Sequence, residues 1–209
     1  MTAGEVIPAV DLDLGAAGEP IREREASEVL GFWVFLMSDA VIFALLFATY
    51  GVMLPGTAGG PTPAAIYKIG SAFIETMILL TSSFTFGMAS IAMKHETGHA
   101  RLLAWMAVTL ALGLAFLGME LHDFAMMFGA GACPTRSGFL SAFFALVPLH
   151  GLHVFFGGIW LIVMMVQVLV FGLDTRVKIS ILRLGLFWHF LDVVWIAIFS
   201  VVYLQGLIA

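Results

Sequence analysis

The most regular feature of the sequence is the alternation of long apolar stretches with short polar connections. Five stretches stand out, at residues 29–54, 69–93, 102–128, 139–173 and 179–208. Each one reaches or exceeds the roughly 20 apolar residues that an α-helix needs to cross the hydrocarbon of a bilayer. The pattern therefore predicts an all-α integral membrane protein with five transmembrane helices.

Composition agrees with this pattern and excludes other classes of protein. The mean hydropathy is +1.06, and only 11% of the residues are charged, whereas soluble proteins contain about 25%. Strict alternation of apolar and polar residues over about ten positions, which is typical of membrane β-barrel strands, is absent. With 209 residues and such short connections, there is room for one membrane domain and none for a soluble catalytic domain.

Charge divides the chain into two parts. Residues 1–28 contain seven acidic residues but only two arginines, so they account for the formal net charge of −5 of the whole chain. We therefore expect an acidic tail at 1–28 and a five-helix transmembrane bundle at 29–209. No basic surface is available for nucleic acid. Seven basic residues lie on the side of the tail and two on the other, which predicts a cytoplasmic N-terminus and a periplasmic C-terminus.

Ionisable residues occur inside every one of the five apolar stretches. Each such group costs about 2.5–3.5 kcal/mol at the centre of a bilayer, so it normally faces protein or a wet cavity. Residues three apart share a helical face, which pairs His150 with His153 and His189 with Asp192. The candidate buried polar network comprises Asp39, Glu75, Glu120, His150, His153, His189 and Asp192.

Three interpretations of these residues remain open from their positions alone. They can join helices through hydrogen bonds, which contribute about 0.6 kcal/mol on average. They can relay protons or gate ions. His150 or His153, opposite His189, can in principle ligate haem, although two histidines on one face cannot occupy the two axial positions of one haem. The only cysteine, Cys133, belongs to no Cys/His cluster that would indicate a zinc or iron–sulfur site.

Two sequence motifs in the last two stretches resemble a known family. His-Gly-Leu-His-Val at 150–154 and Trp-His-Phe-Leu-Asp-Val-Val-Trp at 188–195 together resemble the double signature of subunit III of the haem–copper respiratory oxidases. Further similarity lies at 35–39, 118–120 and 136–144, so the resemblance runs from about residue 27 to the C-terminus. Five helices and the loop at 57–62 resemble the quinol-oxidising cytochrome o branch, since cytochrome c oxidase members usually have seven helices.

The resemblance implies an accessory role. The chain is then a non-catalytic subunit of a proton-pumping terminal ubiquinol oxidase, a multi-pass protein of the bacterial inner membrane that supports assembly and sustained turnover. Subunit III of a cytochrome c oxidase is the alternative. A stand-alone membrane haem quinone oxidoreductase and a small proton-coupled transporter fit the sequence less well, the latter because no inverted repeat is visible.

The resemblance also implies where the cofactors and partners are. No catalytic, cofactor-binding or metal-binding residue is expected in this chain, because haems and copper belong to subunit I, its direct partner. Phospholipid is expected in a cleft between the first two helices and the rest of the bundle. His150, His153, His189 and Asp192 are expected to join the last two helices to Glu120. Asp39 matches a carbodiimide-reactive carboxylate of the relatives, and we expect it to be protonated or paired at the lipid-cleft or subunit I face.

Overall fold

The computed structural model contains the five predicted helices. It describes residues 19–60, 62, 67, 69–94 and 98–204, and their side chains from Leu30 onward. In that part of the chain, five helices are long and apolar enough to span a membrane, which confirms the predicted fold class. The helices are α1 (Glu19–Met53), α2 (Ile69–Lys94), α3 (His99–Gly129), α4 (Gly138–Phe171) and α5 (Thr175–Ile198). A 3₁₀ turn (Pro134–Arg136) precedes α4, and a π-helical segment (Phe199–Leu204) extends α5.

The first helix begins earlier than the apolar pattern predicts. α1 starts at Glu19 rather than at position 29, although the apolar span itself is Leu30–Met53. Charged residues do not interrupt a helix, so an apolar stretch marks the membrane crossing and not the helix start. Ten residues of the predicted acidic tail are therefore helical, and residues 1–18 of that tail lie outside the described residues.

Short polar signals determine where α4 begins and ends. The hydroxyl of Ser137 accepts a hydrogen bond from the Leu140 amide at 3.2 Å, which caps the first turn of α4. Gly172 ends the helix with φ at +72°, a backbone conformation that residues other than glycine rarely adopt. The Asp174 carboxylate then accepts from the Thr175 amide at 2.8 Å and caps α5. Only three residues separate the two helices, which pack on each other as antiparallel neighbours.

α5 lies at the centre of the bundle. It packs against α1, α2 and α4, while α3 packs against α2 and α4. In the most apolar part of each span, 50% of the residues are buried in α5 but only 17% in α1. α1 is therefore the most peripheral span. Small residues allow close approach at the centre: Gly113 of α3 and Gly157 of α4 both face the ring of Trp188.

The first two helices are both packed against other helices of the bundle. α1 packs against α4 and α5, and α2 packs against α3 and α5, so both helices are integrated into the bundle. Aromatic contacts hold α1 in place, with the ring of Phe43 5.4 Å from that of His153 and 6.5 Å from that of Phe190. The expected lipid cleft between the first two helices and the rest of the bundle therefore stays a prediction.

Candidate functional site

Asp39 of α1 pairs with His153 of α4. The Asp39 residue is 6% exposed, and its Oδ2 lies 3.1 Å from Nε2 of His153. The other ring nitrogen, Nδ1, lies 2.7 Å from the Leu149 carbonyl oxygen. A carbonyl can only accept, so Nδ1 carries a proton. Oδ2 of Asp39 has no hydrogen bond among the described residues, so Asp39 and Nε2 of His153 are in close contact without hydrogen-bond geometry.

His150 makes the contact between α4 and α5. It is fully buried, and its Nε2 lies 3.2 Å from the Leu191 carbonyl oxygen, to which it must donate. Its ring packs 5.2 Å from that of Trp195 and edge-on to Phe116 at 5.7 Å. The two histidines of the 150–154 motif therefore serve different helices, although they share one face of α4.

His189 and Asp192 lie between α5 and α2. Nδ1 of His189 lies 2.6 Å from the hydroxyl oxygen of Ser83 and 3.6 Å from Oδ2 of Asp192. Asp192 is buried, whereas the His189 side chain is 49% exposed in this chain. An imidazole at this depth would not face lipid without cost, so its exposed edge is a candidate for contact with another polypeptide.

Glu75 of α2 and Glu120 of α3 are carboxyl groups buried inside the bundle. They are 1% and 4% exposed, and neither Oε1 atom has a hydrogen-bond partner among the described residues. The Glu120 carboxyl group lies directly against Gly151 of α4, where a methyl carbon would come within 2.9 Å of its Cδ. Because residue 151 has no side chain, the Glu120 carboxyl group fits between α3 and α4.

The seven predicted residues form separate contacts rather than one network. His150 joins α4 to α5, as expected, but His153 joins α4 to α1 through Asp39. His189 and Asp192 lie against Ser83 of α2 and not against Glu120. The expected connection of all four residues to Glu120 stays a prediction, while the rotation of each helix about its axis directs these polar side chains to different neighbours.

Hydroxyl and indole groups that were not predicted from the sequence also join the helices. Nε1 of Trp188 donates to Ser82, and Nε1 of Trp195 donates to Thr76, each at 3.0 Å. Thr85 of α2 and Thr109 of α3 hydrogen-bond at 2.8 Å. The signal that could have revealed them is the run of Ser and Thr residues inside α2, an otherwise apolar span.

Replacing Trp195 with phenylalanine is expected to lower the free energy of unfolding by about 1 kcal/mol, because it removes one buried hydrogen bond and retains most of the packing. Thermal unfolding of the purified protein would measure the change. Thr76→Val removes the same bond and should produce a similar loss, with no further loss in the double variant. Trp33, exposed on α1, offers the control: Trp33→Phe should leave stability unchanged. Additive losses at 195 and 76 would contradict the assigned bond.

Three tyrosines form a second unpredicted cluster near the start of α2. The Tyr50 and Tyr67 hydroxyl oxygens are 3.1 Å apart, and the rings of Tyr67 and Tyr203 are 5.0 Å apart. Burial and the neighbouring Tyr50 raise the pKa of Tyr67, which precedes α2. All three phenols are buried, so this cluster ties α1, the segment before α2 and the π-helical end of α5 together.

The donor atoms fit helix joining better than metal or haem ligation. Among the described residues, no three His, Cys, Asp or Glu side chains converge as metal ligands would. Nε2 of His150 faces a carbonyl oxygen, whereas its Nδ1 is buried without a hydrogen-bond partner among the described residues, and both ring nitrogens of His153 lie beside oxygen atoms. Three of these four ring nitrogens therefore face oxygen atoms, so the two histidines do not form a pair of free haem ligands.

The fold and these contacts define a class: a polytopic α-helical membrane protein whose buried polar side chains join its helices. Within that class, the chain belongs to the cytochrome c oxidase subunit III family, whose model matches residues 23–207. This confirms the resemblance seen in the two motifs.

Named relatives align over most of this chain. Cytochrome bo(3) ubiquinol oxidase subunit 3 of Pseudomonas aeruginosa is 44% identical over 194 residues, covering 93% of this chain and 92% of the relative. The protein of the same name from Pseudomonas putida is 48% identical over 180 residues, or 86% of each chain. Cytochrome c oxidase subunit 3 of Alkalihalophilus pseudofirmus is 42% identical and covers 95% of this chain and 97% of its own length.

Proposed function

We propose that this chain is subunit III of a proton-pumping ubiquinol oxidase of the haem–copper type. The observation that carries the proposal is the match of 44–48% identity, over most of both chains, to two proteins named as ubiquinol oxidase subunits. The polar contacts support it, because they join helices instead of presenting ligands to a cofactor. In this proposal, haems and copper lie in subunit I, and the chain contributes assembly, phospholipid binding and sustained turnover.

The choice of ubiquinol over cytochrome c as electron donor rests on sequence identity to the relatives and not on the number of helices. A cytochrome c oxidase subunit 3 aligns with this chain over 97% of its length, so a chain of about this length occurs in both branches. The ubiquinol branch is favoured because the two Pseudomonas ubiquinol oxidase subunits are 44% and 48% identical to this chain, against 42% for the cytochrome c oxidase subunit of Alkalihalophilus pseudofirmus. Subunit III of a cytochrome c oxidase remains the alternative function.

The membrane arrangement is part of the same proposal. The chain crosses the bacterial inner membrane five times, with its acidic N-terminal tail in the cytoplasm and its C-terminus in the periplasm. The basic residues favour this orientation by seven to two. Subunit I is the proposed direct partner, and the exposed edge of His189 is a candidate contact between the two.

Purification of the tagged full-length chain from its native membrane in mild detergent tests this proposal. We expect a haem-containing larger chain to co-purify and the complex to oxidise ubiquinol faster than reduced cytochrome c. Preference for cytochrome c would replace the ubiquinol assignment with the alternative. If the chain separated from all partners retained stoichiometric haem and was reduced by quinol, the accessory role would be wrong.

A second function is favoured by one specific observation. Oδ2 of Asp39 lies 3.1 Å from Nε2 of His153 inside the bundle, and this oxygen has no hydrogen bond among the described residues. We propose a proton-holding role for the pair as the second candidate, which predicts that its loss would alter turnover in complexes that still assemble.

A further inference from the structure

Small residues of α2 lie beside a polar residue of α5 halfway along the bundle. Ser83 and Gly87 are one helical turn apart on α2, and the Ser83 hydroxyl oxygen is 2.6 Å from Nδ1 of His189. With the exposed Leu186 and Val193 of α5, these residues form what we call the α2/α5 face. We propose that one transmembrane helix of the haem-containing partner subunit packs on this face and donates a hydrogen bond to Nε2 of His189.

His189 is the residue of this face that needs a partner. It lies at the middle of the span Thr175–Leu204, and its side chain is 49% exposed. Among the described residues, only its Nδ1 has oxygen atoms nearby, from Ser83 at 2.6 Å and Asp192 at 3.6 Å. Hydrocarbon offers Nε2 no hydrogen-bond partner, so lipid is a costly neighbour at this depth. A polypeptide with a polar side chain at the same depth removes that cost.

The surroundings of Nδ1 indicate which kind of group the partner supplies. Asp192 is 6% exposed, and both of its carboxyl oxygens are buried without a hydrogen-bond partner among the described residues. Hydroxyl and carboxyl oxygens on the Nδ1 side favour the neutral tautomer that carries its proton on Nδ1. Nε2 is then an acceptor, so the partner helix supplies a donor, namely a hydroxyl, amide or indole group.

The side chains around His189 suit close packing of a helix. Leu186 lies three residues before His189 and Val193 four residues after it, so the three form one stripe along α5. On α2, two small residues four positions apart, Ser83 and Gly87, let the backbone of a second membrane helix approach closely. A Cβ atom added at Gly87 would have no neighbour within 4 Å, so this space is open to the partner.

This inference deepens the proposed function, on which it rests for the existence of a haem-containing partner. It is tested with the photoreactive residue benzoylphenylalanine at position 193 of the tagged full-length chain in its native membrane. After irradiation, we expect a cross-link between this chain and the haem-containing subunit. The same residue at position 155, an exposed phenylalanine of α4 outside the α2/α5 face, is the matched control and should give no cross-link to that subunit.

Two substitutions at His189 separate contact with the partner from packing inside the chain. His189→Asn keeps a polar group beside Ser83 but removes the one at Nε2, whereas His189→Gln keeps a polar group near the position of Nε2. Loss of one hydrogen bond should lower the ratio of haem-bound to free tagged chain about fivefold in His189→Asn. His189→Gln should retain most of the association. A role confined to the Ser83 contact predicts the opposite order and would overturn the proposal.

Gly87→Leu tests the close approach of the partner helix. A leucine side chain there would occupy the space assigned to that helix, which should lower the ratio of haem-bound to free chain by about tenfold or more. Gly118, an exposed glycine of α3 with equally open surroundings, provides the control, because Gly118→Leu should leave the ratio unchanged.

The outcomes separate this inference from the proposed function. Equal effects of leucine at 87 and 118, a cross-link to the haem-containing subunit from position 155 alone, or a cross-link from position 193 to a second copy of this chain would overturn the inference and leave the proposed function intact. If no haem-containing chain co-purifies with the unsubstituted tagged chain, the proposed function is wrong, and the partner assigned to the α2/α5 face is wrong with it.

Discussion

Replacing Gly151 with alanine is expected to lower the free energy of unfolding by about 3 kcal/mol. The added methyl carbon would come within 2.9 Å of Cδ of Glu120. A carboxyl group that is only 4% exposed has little room to move, and overpacking of a buried site costs about 1–3 kcal/mol before any change in its polar environment. Denaturant or thermal unfolding of the purified complex, together with the fraction of chain assembled in membranes, would measure the effect.

Gly158 provides a matched control on the same helix. A methyl group there would meet only Cδ1 of Leu110, at an ordinary contact distance of 3.7 Å. Gly158→Ala should therefore change stability by less than about 0.5 kcal/mol, since alanine also favours the helix. Glu120→Ala combined with Gly151→Ala should recover part of the loss, because the two groups occupy the same space. Equal effects at 151 and 158 would contradict the close packing assigned to Glu120.

Replacing Asp39 with alanine is expected to cost about 3 kcal/mol, because it leaves the His153 imidazole partly buried without its partner. His153→Ala should cost a similar amount, and the double variant should lose less than the sum of the two. Asp39→Asn keeps a hydrogen-bonding group of the same size and should retain most of the stability. The coupling energy from this double-mutant cycle would measure the contact directly. Additive losses would show that the 3.1 Å contact contributes nothing.

The same variants distinguish the structural role from the proton-holding role. If the pair only joins α1 to α4, Asp39→Ala should reduce the amount of assembled complex and leave turnover per assembled complex unchanged. If the pair holds a functional proton, the assembled fraction of Asp39→Asn should show altered turnover or a changed ratio of protons pumped to electrons transferred. Haem content would normalise both measurements.

The sequence was sufficient to predict the five spans and the candidate polar residues, because hydrocarbon thickness imposes a minimum length and makes ionisable groups conspicuous. It could not assign their partners. Asp39 and His153 are distant in sequence and meet only because α1 packs on α4, which depends on the rotation and tilt of both helices. Side chains such as Phe43 and Gly151, which are apolar and carry no recognisable signal, largely decide that geometry.

The inter-helix contacts of serine, threonine and tyrosine could not be predicted from the sequence for a related reason. Serine, threonine and tyrosine cost little in a membrane, and a helix can satisfy a hydroxyl group on its own preceding carbonyl, as Thr76 does on Ala72 at 2.7 Å. Their presence in an apolar span does not by itself demand a partner. The structure reveals that Ser82, Thr76 and Tyr50 nevertheless bond to other elements.

The peripheral position of α1 has a consequence for biosynthesis. A ribosome makes α1 before any of its packing partners, since the spans it contacts, α4 and α5, are the last two to be made. The newly inserted α1 therefore lies in the bilayer before the Asp39 carboxyl group has its partner. An ionisable group without a partner there costs about 2.5–3.5 kcal/mol. Asp39 gains its partner only when the fourth span, which carries His153, has been translated. We therefore expect release of the nascent chain from the insertion machinery to be delayed most easily before His153 is synthesised.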